Sequence, residues 1–258
     1  MKRMRFNAVG FLTLLRKEVW RFLKVGVQTV LAPVVTTLLY LLVFGHVLED
    51  ALPLQEGLRY GQFLLPGLIL MALAQNAFAN SSSSLIQSKM NGNIVFVLLA
   101  PISAFEFYLA FTLAAVLRGL AVAAALWLVA WPLIDVPLVH PLEALGFAAV
   151  ASAVLGSLGI LAGVYSDKYD HLAAFQNFLI VPLTFLSGVF YSIESLSPFW
   201  QAVSFWNPMF YLIDGFRHAL LGIADVNPLH AWGVALLSWT VLAALCLRML
   251  QSGYKLRN

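Results

Sequence analysis

The sequence has 258 residues, 61% of them hydrophobic and only 10% charged, where a soluble domain carries roughly a quarter charged residues. That balance excludes a disordered chain, a disulfide-stapled secreted domain and an ordinary water-soluble enzyme, and points to an all-α polytopic membrane protein. The net charge of +3 gathers at the ends of apolar runs, so no nucleic-acid partner is implied, and the single cysteine, Cys246, has no internal partner.

Seven of the 15 Lys and Arg residues precede position 25: Lys2, Arg3, Arg5, Arg16, Lys17, Arg21 and Lys24. They form a flank suited to anionic lipid. Projected at about 100° per residue, Phe11, Leu12, Leu15, Val19, Phe22 and Leu23 share one arc, and Thr13, Arg16, Lys17, Arg21 and Lys24 the other. This pattern predicts an amphipathic interfacial helix, either a plain anchor for the first span or a helix that touches a partner.

Six stretches are long enough to cross about 30 Å of hydrocarbon, at 25–47, 60–80, 105–131, 142–165, 172–190 and 230–250. Six transmembrane helices put both termini on one side. Lys89, Lys168, Arg248, Lys255 and Arg257 join the basic N-terminus there, against Arg59 and Arg217 opposite, so that side is the cytoplasm. The outer side would hold Glu49, Asp50, Glu56, Asp135, Glu143, Glu194, Asp214 and Asp225. One domain is expected, with an interfacial segment 1–24, a membrane body 25–250 and a cytoplasmic tail 251–258.

Two inter-span segments are unusual. After the run Ser81 to Ser84, the segment to Ala104 is apolar yet cytoplasmic, with Asn91, Gly92 and Asn93 as a turn and Pro101 as a breaker. Val95, Phe96, Leu98 and Leu99 need burial, against the bundle, the membrane or another protein. Between the fifth and sixth crossings, Ser197 with Pro198 and Asn207 with Pro208 are two helix starts. The second helix runs to about Leu221 before Gly222, too short to cross, and carries Asp214, Arg217 and His218 on one face. It predicts an external re-entrant helical hairpin. Phe199, Trp200, Phe205, Trp206, Phe210 and Tyr211 suit the headgroup layer.

Catalytic patterns are missing. The chain has no phosphate-binding loop, no G-x-S-x-G elbow and no metal-ligand spacing, and His46, His140, His171, His218 and His230 lie mostly at span ends on different connections. No catalytic, cofactor or metal residue is therefore assigned. Arg118 stands apart, because it falls about 18 Å along the third span from Glu106, where a charge costs about 2.5 to 3.5 kcal/mol. Either it bonds a neighbouring helix or an acid of the re-entrant segment, or it lines a path for an anionic or polar ligand. Gly156, Gly159 and Gly163 allow close helix approach, within the chain or between copies.

With these residues in hand, the chain resembles the membrane subunit of type-two ABC exporters, in the bacterial branch that includes the NodJ and YadH permeases. The resemblance is carried by LSGVFYSIESLSPFWQAVSFWNPMFYLIDGFR from Leu186 to Arg217, with Pro208, Tyr211 and Arg217 at the family's spacing after Leu196 and Ser197, and by LLAPIS from Leu98 to Ser103. It implies a dimer, with a second permease copy as partner and an ABC ATPase subunit in two copies that binds the ATP and Mg this chain does not. It also implies that 87–99 is a coupling helix onto the ATPase, through Gln87, Lys89, Met90, Asn91, Gly92, Asn93, Val95, Phe96, Leu98 and Leu99. The helix at 11–23, with Arg16, Lys17 and Arg21, would be the connecting helix. The pair at 198–221, with Pro198, Trp200, Pro208, Tyr211, Asp214 and Arg217, would close the exit. Relatives often carry acids where this chain has Val95 and Phe96, so no specific salt bridge to the ATPase is implied there. An ion-coupled carrier or channel is the alternative, although only Arg118 is clearly an ionisable residue within a span.

Overall fold

A computed structural model describes residues 6–47, 58–253 and 255, all in helices or the turns between them. Lys2, Arg3, Arg5, Glu49, Asp50, Glu56 and Arg257 lie outside the described residues, as does most of the expected tail 251–258.

Helix α1, Ala8–Lys24, starts at Asn7, whose side chain accepts from the Gly10 amide, and Val25 separates it from α2, Gly26–Val47. Next comes α3, Tyr60–Met90, at 31 residues the longest helix described. The expected span ended at residue 80, but the serine run continues the helix. Ser82 and Ser83 donate to the Phe78 and Ala79 carbonyls one turn back, which leaves the ladder unbroken until the Asn91–Gly92 turn. Gly92 there adopts φ +71°, a left-handed conformation that glycine adopts without a Cβ clash.

That turn also breaks the expected helix at 87–99. Residues 87–90 end α3, and a separate short helix, α4, spans Ile94–Leu99. The long helix α5, Ala104–Ala130, follows a capping box between Ser103 and Glu106. Prolines open the remaining long helices, α6 at Pro141–Tyr165 and, at the end of the chain, Pro228–Ser252.

The expected crossing at 172–190 is composite. It consists of α7, Tyr169–Phe175, a π-helical turn, Gln176–Ile180, and α8, Val181–Phe185, and the run stops before Gly188 at φ +72°. Pro182 lacks the N–H that an α-turn needs and its ring crowds the carbonyl four residues back, which favours the wider turn. Among the described residues five helices are long and apolar enough to cross a membrane, and this composite is not one of them. The hairpin region holds α9, Pro198–Phe205, and α10, Pro208–Leu221, which ends at Gly222 as its sequence requires. Last is α11, Pro228–Ser252.

The core lies where α3, α6 and α10 meet, and most residues of all three are buried. A Cβ on Gly159 would collide with the Phe78 carbonyl, and one on Gly163 would come within 2.8 Å of the Leu85 Cβ. The small residues of α6 therefore serve packing inside the chain, where removing side chains lets helix backbones approach closely. By contrast α2 and α11 keep most of their apolar surface exposed, as helices facing lipid or a second protein do.

Candidate functional site

Three places carry polar or unpartnered chemistry. The first is the end of the bundle shared by α1, α4 and the α3 terminus. Met90, Val95, Phe96, Leu98 and Leu99 are exposed, Phe96 and Leu99 by 74% and 77%, while Ile94 is the one α4 residue that is buried. Gln87, Asn91, Gly92 and Asn93 are exposed beside them. Lys89 instead turns inward. Its Nζ donates to the Val164 and Ser166 carbonyls at 2.9 and 2.6 Å and lies 3.2 Å from Asp167, closing the C-terminus of α6, where a cation is favoured by the helix dipole. Lys255 lies 3.3 Å from the other Asp167 oxygen. Hydrogen bonds from the two lysines, Lys89 first, hold the Asp167 carboxyl below the usual carboxylate range.

Helix α1 is fastened to this end. The Glu106 carboxylate accepts from the Asn7 and Ser103 backbone amides, and the Asn7 side chain donates to Pro101 at 3.1 Å. Helix α1 gives the bundle a different strip from the apolar arc expected to meet the membrane interface. Its buried residues are Leu14, Glu18 and Phe22, while Leu12 and Leu23 are exposed. Arg16 and Lys17 face outward as expected, but Arg21 points into the bundle, bonding Asn80 and Ser83 of α3 and the buried Glu18. The helical wheel puts Arg21 on the charged arc, but a charge can be turned inward where partners on another helix bond it.

The second place is a cavity of about 460 Å³. Helix α2 contributes Gln28, Thr29, Thr36 and Thr37, α3 contributes Gln75, Asn76 and Ser83, the π-turn contributes Gln176, and Arg21 and Arg118 provide the charge. Arg118 Nη2 donates to Asn76 Oδ1 at 3.0 Å. Of the alternatives open to Arg118, it takes a bond to a neighbouring helix and a place in a cavity lining, and Asp214 of the re-entrant segment is engaged elsewhere. Sequence reading missed Gln176. The signal was Pro182, six residues on, whose π-turn shifts the helix face.

The third place is around α10. Pro198 and Trp200 open α9 in exposed positions, and Pro208 opens α10. Tyr211 is buried and donates to the Phe205 carbonyl at 2.9 Å. Asp214 accepts from the Asp225 and Val226 amides at 2.9 and 3.0 Å. Arg217 is 1% exposed, stacks 4.0 Å above Phe63 and donates to the Gly188 carbonyl; its Nη1 lies 3.8 Å from Asp214. Tyr211 thus ties α10 to α9, and Asp214 and Arg217 fasten the hairpin to the turns on either side of it.

At the mouth of α10, the Val139 and His140 amides donate to Leu220 and Ala219 at 3.2 and 2.8 Å. This brings together His140, Glu143 and His218, whose ligand atoms lie within 4.8 Å of one another. Sequence reading saw no metal spacing because His218 lies far along the chain from His140 and Glu143. Two imidazoles and a carboxylate are a donor set for a zinc-class ion. Here His218 lies 3.3 Å from Glu143, which also accepts from Trp232 Nε1, so the trio joins α6, α10 and α11.

Comparison with known proteins agrees with this architecture. A family model described as ABC-2 type transporter matches residues 9–221. The inner membrane transport permease YadH of Escherichia coli K12 is 38% identical over 244 residues, 94% of each chain. Nodulation protein J of Neorhizobium galegae is 32% identical over 101 residues, 38% of this chain and 34% of its own. That of Rhizobium meliloti is 22% identical over 217 residues, 84% of this chain and 83% of its own.

Proposed function

The chain belongs to the ABC-2 type transporter family and is thus a membrane subunit of an ABC transporter; from that premise we propose that it is the permease of an exporter in the bacterial inner membrane. Two copies form the pathway for an amphipathic, lipid, drug or glycan substrate, and a separate ATPase subunit beneath each copy supplies the work. The composite 169–185 segment serves as the fifth of six crossings and leaves both termini in the cytoplasm.

The observation that carries this reading is the exposed apolar face of α4, with Phe96 and Leu99 about three-quarters exposed at the end of the bundle that bears the basic helix α1. Such a face is costly in water and suits a partner groove. When ATP draws two ATPase subunits together, α4 moves with them. The displacement then passes through 100–103 into α5, and through the Asn7–Glu106 latch into α1. Rigid-body motion of helices against one another follows, and α10 with α9 closes the exit.

Co-expression with a candidate ABC ATPase subunit from the same genome tests this reading. The two are expected to co-purify, and ATP hydrolysis to rise on reconstitution. Solute movement driven by an ion gradient in liposomes holding this chain and no ATPase would overturn it in favour of a secondary carrier.

A further inference from the structure

We propose that the cavity beside Arg118 is an anion-recognition site for a phosphate-type headgroup on an amphipathic molecule. Arg118 stands near the middle of α5, Ala104–Ala130, and a charge at that depth normally faces a polar cavity or pairs with an opposite charge or with backbone carbonyls. Here the lining contains two arginines and no Asp or Glu, and among the described residues no ion pair includes Arg118. The other charged side chain in the lining is Arg21, of the same sign.

The two arginines differ in what they have left to offer. Arg21 shares Glu18 with Lys17, each at 3.2 Å, and is held by Asn80 and Ser83, so its donors are committed while the group of three keeps a net positive charge. Among the described residues Arg118 makes one hydrogen bond, to Asn76, and its Nε is buried without a partner. A guanidinium has five donors in a planar fork that matches the oxygens of phosphate or carboxylate. Gln75 and Gln176 add neutral donors nearby, while Pro33, Met71 and Ala72 give the same cavity an apolar wall. A polar head on an apolar tail fits both surfaces, and about 460 Å³ is within the range of a small-ligand pocket. As cargo, such a molecule rests on the permease reading, but binding is measured on this chain alone, so either idea can fail without the other.

Calorimetric titration of the purified full chain in a neutral detergent would use octyl phosphate, with octyl glucoside as the uncharged control. Octyl phosphate is expected to bind at least about tenfold more tightly, the scale of a charge-assisted pair. Two variants should each lose about tenfold or more. Arg118→Gln removes the charge, and Asn76→Asp places a carboxylate against Arg118 and keeps the fork, so the site is tested even if the first variant does not fold. Inorganic phosphate binding as tightly would support the site and assign it to a free anion; competition by phosphatidylglycerol in nanodiscs would support it and assign it to a membrane lipid. Equal binding of octyl phosphate and octyl glucoside, or unchanged octyl phosphate binding in folded Asn76→Asp, would overturn the proposal.

Discussion

Single residues in this chain are read correctly when their chemistry is local. Gly159 was legible as a packing residue because small residues four apart on a span allow close approach, and the Phe78 carbonyl is the atom it admits. Gly159→Ala is expected to lower stability by about 1 to 3 kcal/mol, as overpacking does, which the midpoint of unfolding in detergent would show. Asp167 was not legible, since its role depends on Lys89 and Lys255, each distant in sequence. Its carboxyl is held low by these lysines, so their contribution is fully present above about pH 3.9, the ordinary carboxylate value, and is lost as pH falls through the lower folded value. The unfolding midpoint of the native chain should therefore fall more steeply on acidification below about pH 4 than that of Asp167→Asn. Equal slopes would remove the lysine clamp from the account. Arg118 was legible as an anomaly because mid-span charge is rare, whereas Arg21 was misplaced because a wheel projection does not see Asn80 and Glu18 waiting behind it.

At the level of elements, hydropathy and punctuation located α2, α5, α6, α10 and α11 within two residues at each end. The starts at Pro198 and Pro208 and the stop at Gly222 were legible because cap and proline geometry acts within a single turn. Helix α3 outran its reading by ten residues, to Met90, since serines that look like a loop can bond back onto their own helix. The break in the fifth segment followed from Pro182, an ordinary residue in composition and a decisive one in hydrogen bonding. The α4 face carries the prediction at this scale. Phe96→Asp is expected to abolish stimulation of the partner ATPase while leaving membrane insertion intact, as checked by hydrolysis rate beside membrane fractionation. Unchanged stimulation would detach α4 from coupling, because the site's 74% exposure leaves folding little reason to fail.

For the molecule as a whole, orientation is the property that charge counting predicts and geometry alone does not provide. Cys246 is buried, so single cysteines introduced at exposed positions report with little background. In intact cells, Trp206→Cys is expected to react with a membrane-impermeant maleimide and Asn93→Cys only with a permeant one; the reverse pattern would invert the proposed topology. The sequence by itself determined the membrane class, the long apolar helices, the amphipathic start and the short proline-led hairpin, because each follows from hydropathy, periodicity or capping within a few consecutive residues. Only the tertiary structure decided that Lys89 closes α6, that Arg21 faces inward and that Gln176 joins Arg118 around one cavity. Those outcomes depend on which side chains from distant segments meet, and a buried charge settles wherever partners from other helices can satisfy it.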